Sequence, residues 1–335
     1  MANGPLLEVK GITTRFDTRH GSVKAVNAVS FQADRGEMVG IVGESGCGKS
    51  ATVRSVLGLI RKPGRVVDGE VLLDGRDLLH IPKRELRRVR GDRIGFVAQN
   101  PFASLNPILK IERQFHNVIT AHRGRSSRSS TRPLAREMLD AVGIPGPDRI
   151  LDGYAHELSG GMAQRVVIAM ALSLDPELII ADEPTTALDV TIQGQILDLL
   201  KRNSVDEGRS LVLVTHDLGV VAQYCDRVVV MYAGKVVETG PVREVFSRPW
   251  HPYTLGLLQS VPRRGAKVKS LPGRVPSLID YPVGCPFANR CSFAFDRCRE
   301  EAPELSPVFP DGVTQRAVSC HADPEEVSAS VPRAR

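Results

Sequence analysis

Gly43-Glu44-Ser45-Gly46-Cys47-Gly48-Lys49-Ser50 fits the pattern G-x4-G-K-S. The apolar run Met38 to Val42 precedes it and a helix-like segment, Thr52 to Ile60, follows, which is the strand–loop–helix setting the pattern needs. Glycines let consecutive backbone N–H groups converge on phosphate oxygens, and the positive end of the following helix adds to the field. Lys49 then reaches the β- and γ-phosphates, and the Ser50 hydroxyl ligates Mg²⁺. The expected phosphate-side residues are Gly43, Ser45, Gly46, Cys47, Gly48, Lys49, Ser50 and Ala51.

Leu178-Ile179-Ile180-Ala181-Asp182-Glu183 reads as an apolar strand ending in two carboxylates. Side chains alternate along a strand, so adjacent acids point differently and serve different purposes. Asp182 is expected to hold Mg²⁺, directly or through water, and Glu183 to orient or deprotonate an attacking water. Taken alone, the same string is equally a buried strand with a solvated acidic turn. The phosphate loop elsewhere in the chain favours the nucleotide reading.

These groups need a parallel sheet to hold them. The opening reads as short strands at Leu7 to Val9, Val29 to Ala33 and Met38 to Val42 separated by Gly and charged turns, while strand-like runs at Leu178 to Ala181, Leu211 to Thr215 and Arg227 to Tyr232, with the helix Val190 to Asn203 between the first two, argue for a parallel sheet with helices on its faces. Gly69 to Leu73 followed by Asp74-Gly75 predicts a hairpin element. Residues 101 to 158 read as a mostly helical lobe, with a helix at Pro133 to Val142 and an Arg- and Ser-dense loop at His122 to Pro133.

The chain has 335 residues, 42% hydrophobic and 24% charged, which excludes collagenous and fully disordered classes and predicts a main body plus an attachment. Its longest apolar run, Val166 to Leu172, is far short of the roughly 18 residues that a membrane-spanning helix needs. The start lacks a secretory signal, so a cytosolic chain is expected, where clustered thiols point to metal or redox chemistry. The net charge of +6 is modest for this length. The basic stretch Lys83 to Arg93, with Arg84, Arg87, Arg88 and Arg90, has no interleaved aromatics and reads as a solvated helix face, so no nucleic-acid partner is expected.

Leu158-Ser159-Gly160-Gly161-Met162-Ala163-Gln164-Arg165 resembles the signature motif of ABC-type ATPases. In that light Gln99 resembles the Q-loop glutamine, Ala187-Leu188-Asp189 the D-loop and His216 the switch histidine, the resemblance covering about residues 6 to 250. It implies an α/β fold: a P-loop NTPase core with an N-terminal antiparallel β subdomain, a helical subdomain (about 101–165) and a small irregular Cys-containing C-terminal extension (251–335). It also implies that two cassettes pack head to tail, each ATP lying between the phosphate loop of one and the signature of the other. Ser159, Gly160, Gly161 and Gln164 then act in trans, Asp189 belongs to the D-loop, and Gln99 joins Ser50 and Asp182 around Mg²⁺. Glu183, His216 and Gln99 form the implied catalytic set. Phe16 lies where the family stacks an aromatic on adenine, core packing being the other use of that ring. Two positions depart from the pattern: Ala163 replaces a longer polar or basic side chain, and Cys47, if exposed near the helix start, is expected to make the ATPase sensitive to thiol reagents. Cys225 reads as a small buried apolar residue.

Trp250-His251-Pro252-Tyr253-Thr254, followed by Cys285, Cys291, Cys298 and Cys320, resembles the C-terminal extension of peptide and nickel importer ATPases, as does Asn100 to Pro107. Four thiols spaced C-x5-C-x6-C-x21-C supply soft ligands for a [4Fe–4S] cluster or a tetrahedral Zn²⁺, or remain unligated. The cluster is the favoured reading, because the paired knuckles of zinc ribbons are missing. The function implied is the ATP-hydrolysing subunit of a membrane importer for di- or oligopeptides, peripheral on the cytoplasmic face of the cell membrane. Its implied partners are a second, distinct ATPase subunit, two integral permeases and an extracytoplasmic peptide-binding protein. Nickel or another small solute is the alternative cargo. A soluble ABC ATPase acting on nucleic acid or ribosomes is the remote alternative, set against by a single cassette without sustained heptads.

Overall fold

The computed structural model describes residues 4–124, 127–186, 188–261, 271–307 and 316–330. Among them twelve strands follow one another: β1 (Leu7–Thr18), β2 (Gly21–Ala33), β3 (Met38–Val42), β4 (Gly64–Leu73), β5 (Arg76–Asp77), β6 (Ile94–Val97), β7 (Leu178–Asp182), β8 (Ser210–Val214), β9 (Arg227–Tyr232), β10 (Lys235–Pro241), β11 (Ser306–Pro307) and β12 (Ala317–Val318). The chain divides into two compact units, Met1–Ala33 with Met38–Leu79 and Thr215–Arg335, and Asp34–Glu37 with His80–Val214.

In the first unit β2, β1, β4 and β5 form an antiparallel sheet in that order. The strands at the N-terminus are longer than the sequence suggests, because irregularities between Val9 and Ile12 and between Ile12 and Thr14 break the alternation without ending the ladder. Asp74 and Gly75, with φ of 53° and 76°, make the expected hairpin between β4 and β5. A second set runs β11-β12-β10-β9-β3. In it β3 pairs parallel with β9, Ile41 opposite Val229, and every residue of both strands is buried, which is why neither alternates in hydrophobicity. The expected helix after the phosphate loop starts earlier, Lys49–Val56, and gives way before Gly58, which has a φ of 60°.

The C-terminal extension does more than hang from the body. Glu238 and Thr239 of β10 pair with Val318 and Ala317 of β12, so the tail supplies strands to the same set. Tyr253 and Phe287 of the tail are buried together with Tyr232 of β9, so the extension's few apolar side chains pack on the body rather than forming a core of their own.

In the second unit β8, β7 and β6 lie parallel, Ile180 opposite both Val212 and Phe96. Helices Ile111–Arg123, Arg128–Ala141, Pro147–Asp152 and Gly160–Leu172 build its helical part. The loop expected at His122 to Pro133 is largely helix instead. Ser127 Oγ accepts from the Ser130 N–H at 3.3 Å and starts Arg128–Ala141, with Pro133 inside it. Arg125 and Ser126 of that stretch lie outside the described residues. The basic segment Lys83–Asp92 is a helix with Val89 as its buried residue, and Arg84, Arg87 and Arg88 are exposed, as a solvated face requires.

Candidate nucleotide site

The phosphate loop joins β3 to the helix Lys49–Val56 in the first unit. A Cβ on Gly43 (φ 152°) would stand 2.2 Å from the Met231 carbonyl oxygen, and one on Gly48 (φ 104°) would stand 2.3 Å from that of Ala25. Both positions therefore require glycine on conformation and on space. Ser45 and Gly46 are exposed at the loop's rim, Ala51 and Ser50 half-buried below it. Lys49 is 4% exposed, and its Nζ donates to the Gly43 and Glu44 carbonyl oxygens at 2.8 and 3.2 Å. The lysine is thus held over the loop. Cys47 is fully buried and burial pushes its thiol up, so the exposure on which thiol sensitivity depends is not met. Its carbonyl accepts from the Gly234 N–H at 2.8 Å, tying the loop to the turn after β9.

Phe16, on β1, is half-buried opposite Gly64, where a Cβ would meet the ring at 2.5 Å. Thr215 N–H donates to the Ile41 carbonyl at 3.1 Å, so the next residue, His216, stands exposed beside the strand that launches the phosphate loop.

In the second unit, β7 ends at Asp182, 1% exposed, and the chain then turns through Glu183 with φ of 48°. That left-handed backbone is costly for a glutamate and is held by a hydrogen bond from its N–H to the Val214 carbonyl at 3.0 Å. The two acids differ in environment, as alternation predicts, yet the divergence comes from this turn as well as from the pleat. Glu183 Oε2 accepts from Gln99 Nε2 at 3.2 Å and from Thr186 Oγ1 at 2.9 Å. Thr186 was not anticipated, although it stands three residues beyond the carboxylate.

Ser159 caps the helix Gly160–Leu172, its Oγ accepting from the Met162 N–H at 3.3 Å, so Gly160 and Gly161 stand in the helix's first turn. Gln164 is 1% exposed and its Nε2 is buried with no hydrogen-bond partner among the described residues. Ala163 is fully buried, leaving no room for a longer side chain. Asp189 caps Val190–Arg202 by accepting from the Ile192 N–H at 3.0 Å, while Ala187 lies outside the described residues.

These geometries meet a consistent set of likenesses. The ABC transporter family profile matches residues 26–186, and the profile of the oligopeptide/dipeptide transporter C-terminal region matches residues 237–298. A peptide import ATP-binding protein of Brucella ovis is 49% identical over 323 residues, 92% of this chain and 95% of that one. The oligopeptide transport ATP-binding protein OppD of Salmonella typhimurium is 46% identical over 91% of each chain. The chain belongs to the oligopeptide/dipeptide branch of the ABC transporter ATP-binding proteins. Among solved structures, a dimeric post-hydrolysis state of the ATP-binding cassette MJ0796 bound to ADP and Pi shares the fold at a TM-score of 0.63 and 32% identity. The match covers 71% of this chain and 99% of that one.

The C-terminal extension carries the four thiols. The Cys285 N–H donates to the Cys298 carbonyl at 2.8 Å. Burial pushes the thiols of Cys285, Cys291 and Cys320 up, Cys291 to about 11 and Cys320 to about 12, and neighbouring cysteine charge raises each further. The four thus share one neighbourhood. Among the described residues, however, no three His, Cys, Asp or Glu side chains form a group that could hold a metal ion. The expected [4Fe–4S] or Zn²⁺ site is not assembled by the side chains as placed.

Proposed function

We propose that this chain hydrolyses ATP to power a membrane importer of di- or oligopeptides. The observation that carries the cargo class is the match of residues 237–298 to the oligopeptide/dipeptide transporter C-terminal region, alongside a complete cassette. The loop's strained glycines and converging N–H groups fit a polyphosphate. Lys49 would neutralise β- and γ-phosphate charge, and Ser50, Asp182 and Gln99 would each offer an oxygen to Mg²⁺. Mg²⁺ supplies charge neutralisation at the phosphates. Glu183 takes or orients the proton of the attacking water, His216 holds the γ-phosphate, and Phe16 stacks on adenine. Ser159, Gly160 and Gly161 present a capped helix start to the ATP of a second cassette.

None of the described helices is long and apolar enough to cross a membrane, so translocation requires separate permease subunits, with this chain peripheral to them. A distinct second ATPase and an extracytoplasmic binding protein complete the proposed assembly. Reconstitution into proteoliposomes with the two permeases, the second ATPase and the binding protein tests this: ATP-dependent accumulation of a labelled tripeptide is expected. Uptake of Ni²⁺ in place of peptide, or recovery of the chain on ribosomes rather than with permeases, overturns it.

For the tail we keep the iron–sulfur reading over zinc as a proposal, on the soft chemistry and C-x5-C-x6-C-x21-C spacing of four free thiols, although the side chains as placed do not assemble the site. No step of the ATPase cycle is routed through it. Anaerobically purified protein is expected to be brown and to contain iron and acid-labile sulfide, both lost in Cys291→Ser. Colourless, iron-free protein from iron-replete anaerobic cells overturns the reading.

A further inference from the structure

The C-terminal extension reaches the phosphate loop directly, through two groups in the first unit. Arg290, whose side chain is 4% exposed, sets its Nη1 and Nη2 on the two carboxylate oxygens of Glu44 at 2.7 and 3.0 Å. Its Nε donates to the Pro272 carbonyl at 2.7 Å, and its guanidinium lies over the rings of Tyr232 and Phe287, 5.6 and 5.9 Å from their centroids. The arginine is therefore fixed before it meets Glu44, as a bidentate pair needs. Tyr253 Oη accepts from the Glu44 backbone N–H at 2.9 Å, and Tyr253 is fully buried against Tyr232 and Phe287, with ring centroids 4.6 and 5.4 Å away. The Glu44 carbonyl in turn accepts from Lys49 Nζ at 3.2 Å. Backbone N–H, carbonyl and carboxylate of one loop residue are all engaged, two of the three by the tail.

Glu44 places a negative charge in a loop that must accept a polyphosphate. Left unpaired, that carboxylate repels the ligand; paired with Arg290 it is neutralised, and the Tyr253 contact fixes the peptide unit beside it. We propose that Arg290 and Tyr253 are positioning residues for ATP, through which the C-terminal extension sets the nucleotide affinity of the phosphate loop. This rests on the phosphate loop being the ATP site.

The test uses the full chain, a fluorescent ATP analogue for Kd, and KM and kcat of hydrolysis with the permease complex. Arg290→Ala is expected to raise Kd and KM for ATP by roughly tenfold, the worth of a charge-assisted pair, with kcat at saturating ATP within about twofold. Arg290→Lys should recover part of the loss. Glu44→Gln removes the repelling charge, so adding Arg290→Ala to it should change Kd by less than about twofold, a non-additivity that a general loss of stability does not give. Tyr253→Phe, which keeps the packing, should raise Kd about threefold, the worth of one neutral hydrogen bond. Unchanged Kd and KM in folded Arg290→Ala, or strict additivity with Glu44→Gln, overturns the inference. If Arg290→Ala fails to fold, Arg290→Lys decides: it should still raise Kd by about threefold, an effect that should disappear in the Glu44→Gln background, and an unchanged Kd or strict additivity overturns the inference. Failure of the wild-type chain to bind ATP would instead strike the parent reading, and Lys49→Ala supplies the non-binding control.

Discussion

Gln99 Nε2 donates to Glu183 Oε2 at 3.2 Å. The relationship follows from sheet register: Val97 stands opposite Ala181 in the parallel pair β6 and β7, so the residues two beyond each strand position emerge side by side. A carboxylate at the end of one strand is thereby held by an amide at the end of the next, while Thr186 fixes it from the other side. Under the proposed function, these two contacts orient the carboxylate that would take the proton of the attacking water.

Glu183→Gln keeps the shape and the Thr186 contact but removes the base. Turnover should fall by about 10²–10⁴-fold, the usual contribution of a positioned general base. Nucleotide affinity should be retained and the ATP-bound dimer should persist longer on size exclusion. Hydrolysis at the wild-type rate would remove Glu183 from this role.

Lys49→Ala acts on a different quantity. Its ammonium is held over the loop by the carbonyls of Gly43 and Glu44, ready to exchange them for phosphate oxygens. Losing a charge-assisted contact of about 1.5–3 kcal/mol weakens binding by at least about tenfold. Equilibrium titration with a fluorescent nucleotide reads this directly, and an unchanged Kd would place the phosphates elsewhere.

The linear order of residues made the nucleotide machinery legible, because strand, glycine loop and helix are contiguous and each motif states its own chemistry. Gly43 and Gly48 show why: their conformations and the carbonyls facing them leave no alternative residue. Contacts that depend on distant segments were not legible. Nothing near Glu44 in sequence announces Arg290, 246 positions away, and nothing in the Pro-rich tail announces that Val318 pairs with Glu238. The loop expected around Arg128 failed for a local reason, since a Ser cap and favourable helix formers outweighed one proline in the helix's second turn. For Cys47 the sequence leaves exposure open: a helix start favours a reactive thiol only at the surface, and the side chain is buried.

His251 is wholly buried, and burial holds its imidazole at about 3, well below the ordinary 6.5. Its Nδ1 accepts from the Tyr253 N–H at 3.0 Å, which requires the unprotonated nitrogen. The folded pKa is the depressed one, so the contribution is complete above about pH 6.5 and is lost as pH falls toward 3, where the unfolded chain binds the extra proton. Between pH 6.5 and 5 stability should fall by about 2 kcal/mol from this group alone. His251→Asn keeps a helix-capping acceptor without a titrating ring, so its Tm should vary less over that interval than the wild type's. Parallel Tm profiles for the two proteins would exclude His251 as the titrating group.

Glu238 and Arg316 form the deepest ion pair of the tail, their side chains 0% and 3% exposed and 2.8 Å apart. Glu238 also accepts from the N–H groups of Trp250 and His251 at 2.9 and 3.0 Å, and the guanidinium lies 3.3 Å from the Trp250 ring centroid. One carboxylate therefore gathers the start of the extension, Trp250-His251, and its late segment at Arg316. Arg316→Ala leaves that carboxylate buried without its counter-charge, a loss of about 3–5 kcal/mol. The urea midpoint should drop accordingly, and limited proteolysis should cut first within residues 251–330 while the cassette persists. Because the pair carries a desolvation penalty of its own, Glu238→Gln combined with Arg316→Met should recover much of the loss. A midpoint for Arg316→Ala equivalent to less than about 1 kcal/mol would mean that the aromatic packing of Tyr253 and Phe287, and not this ion pair, anchors the tail.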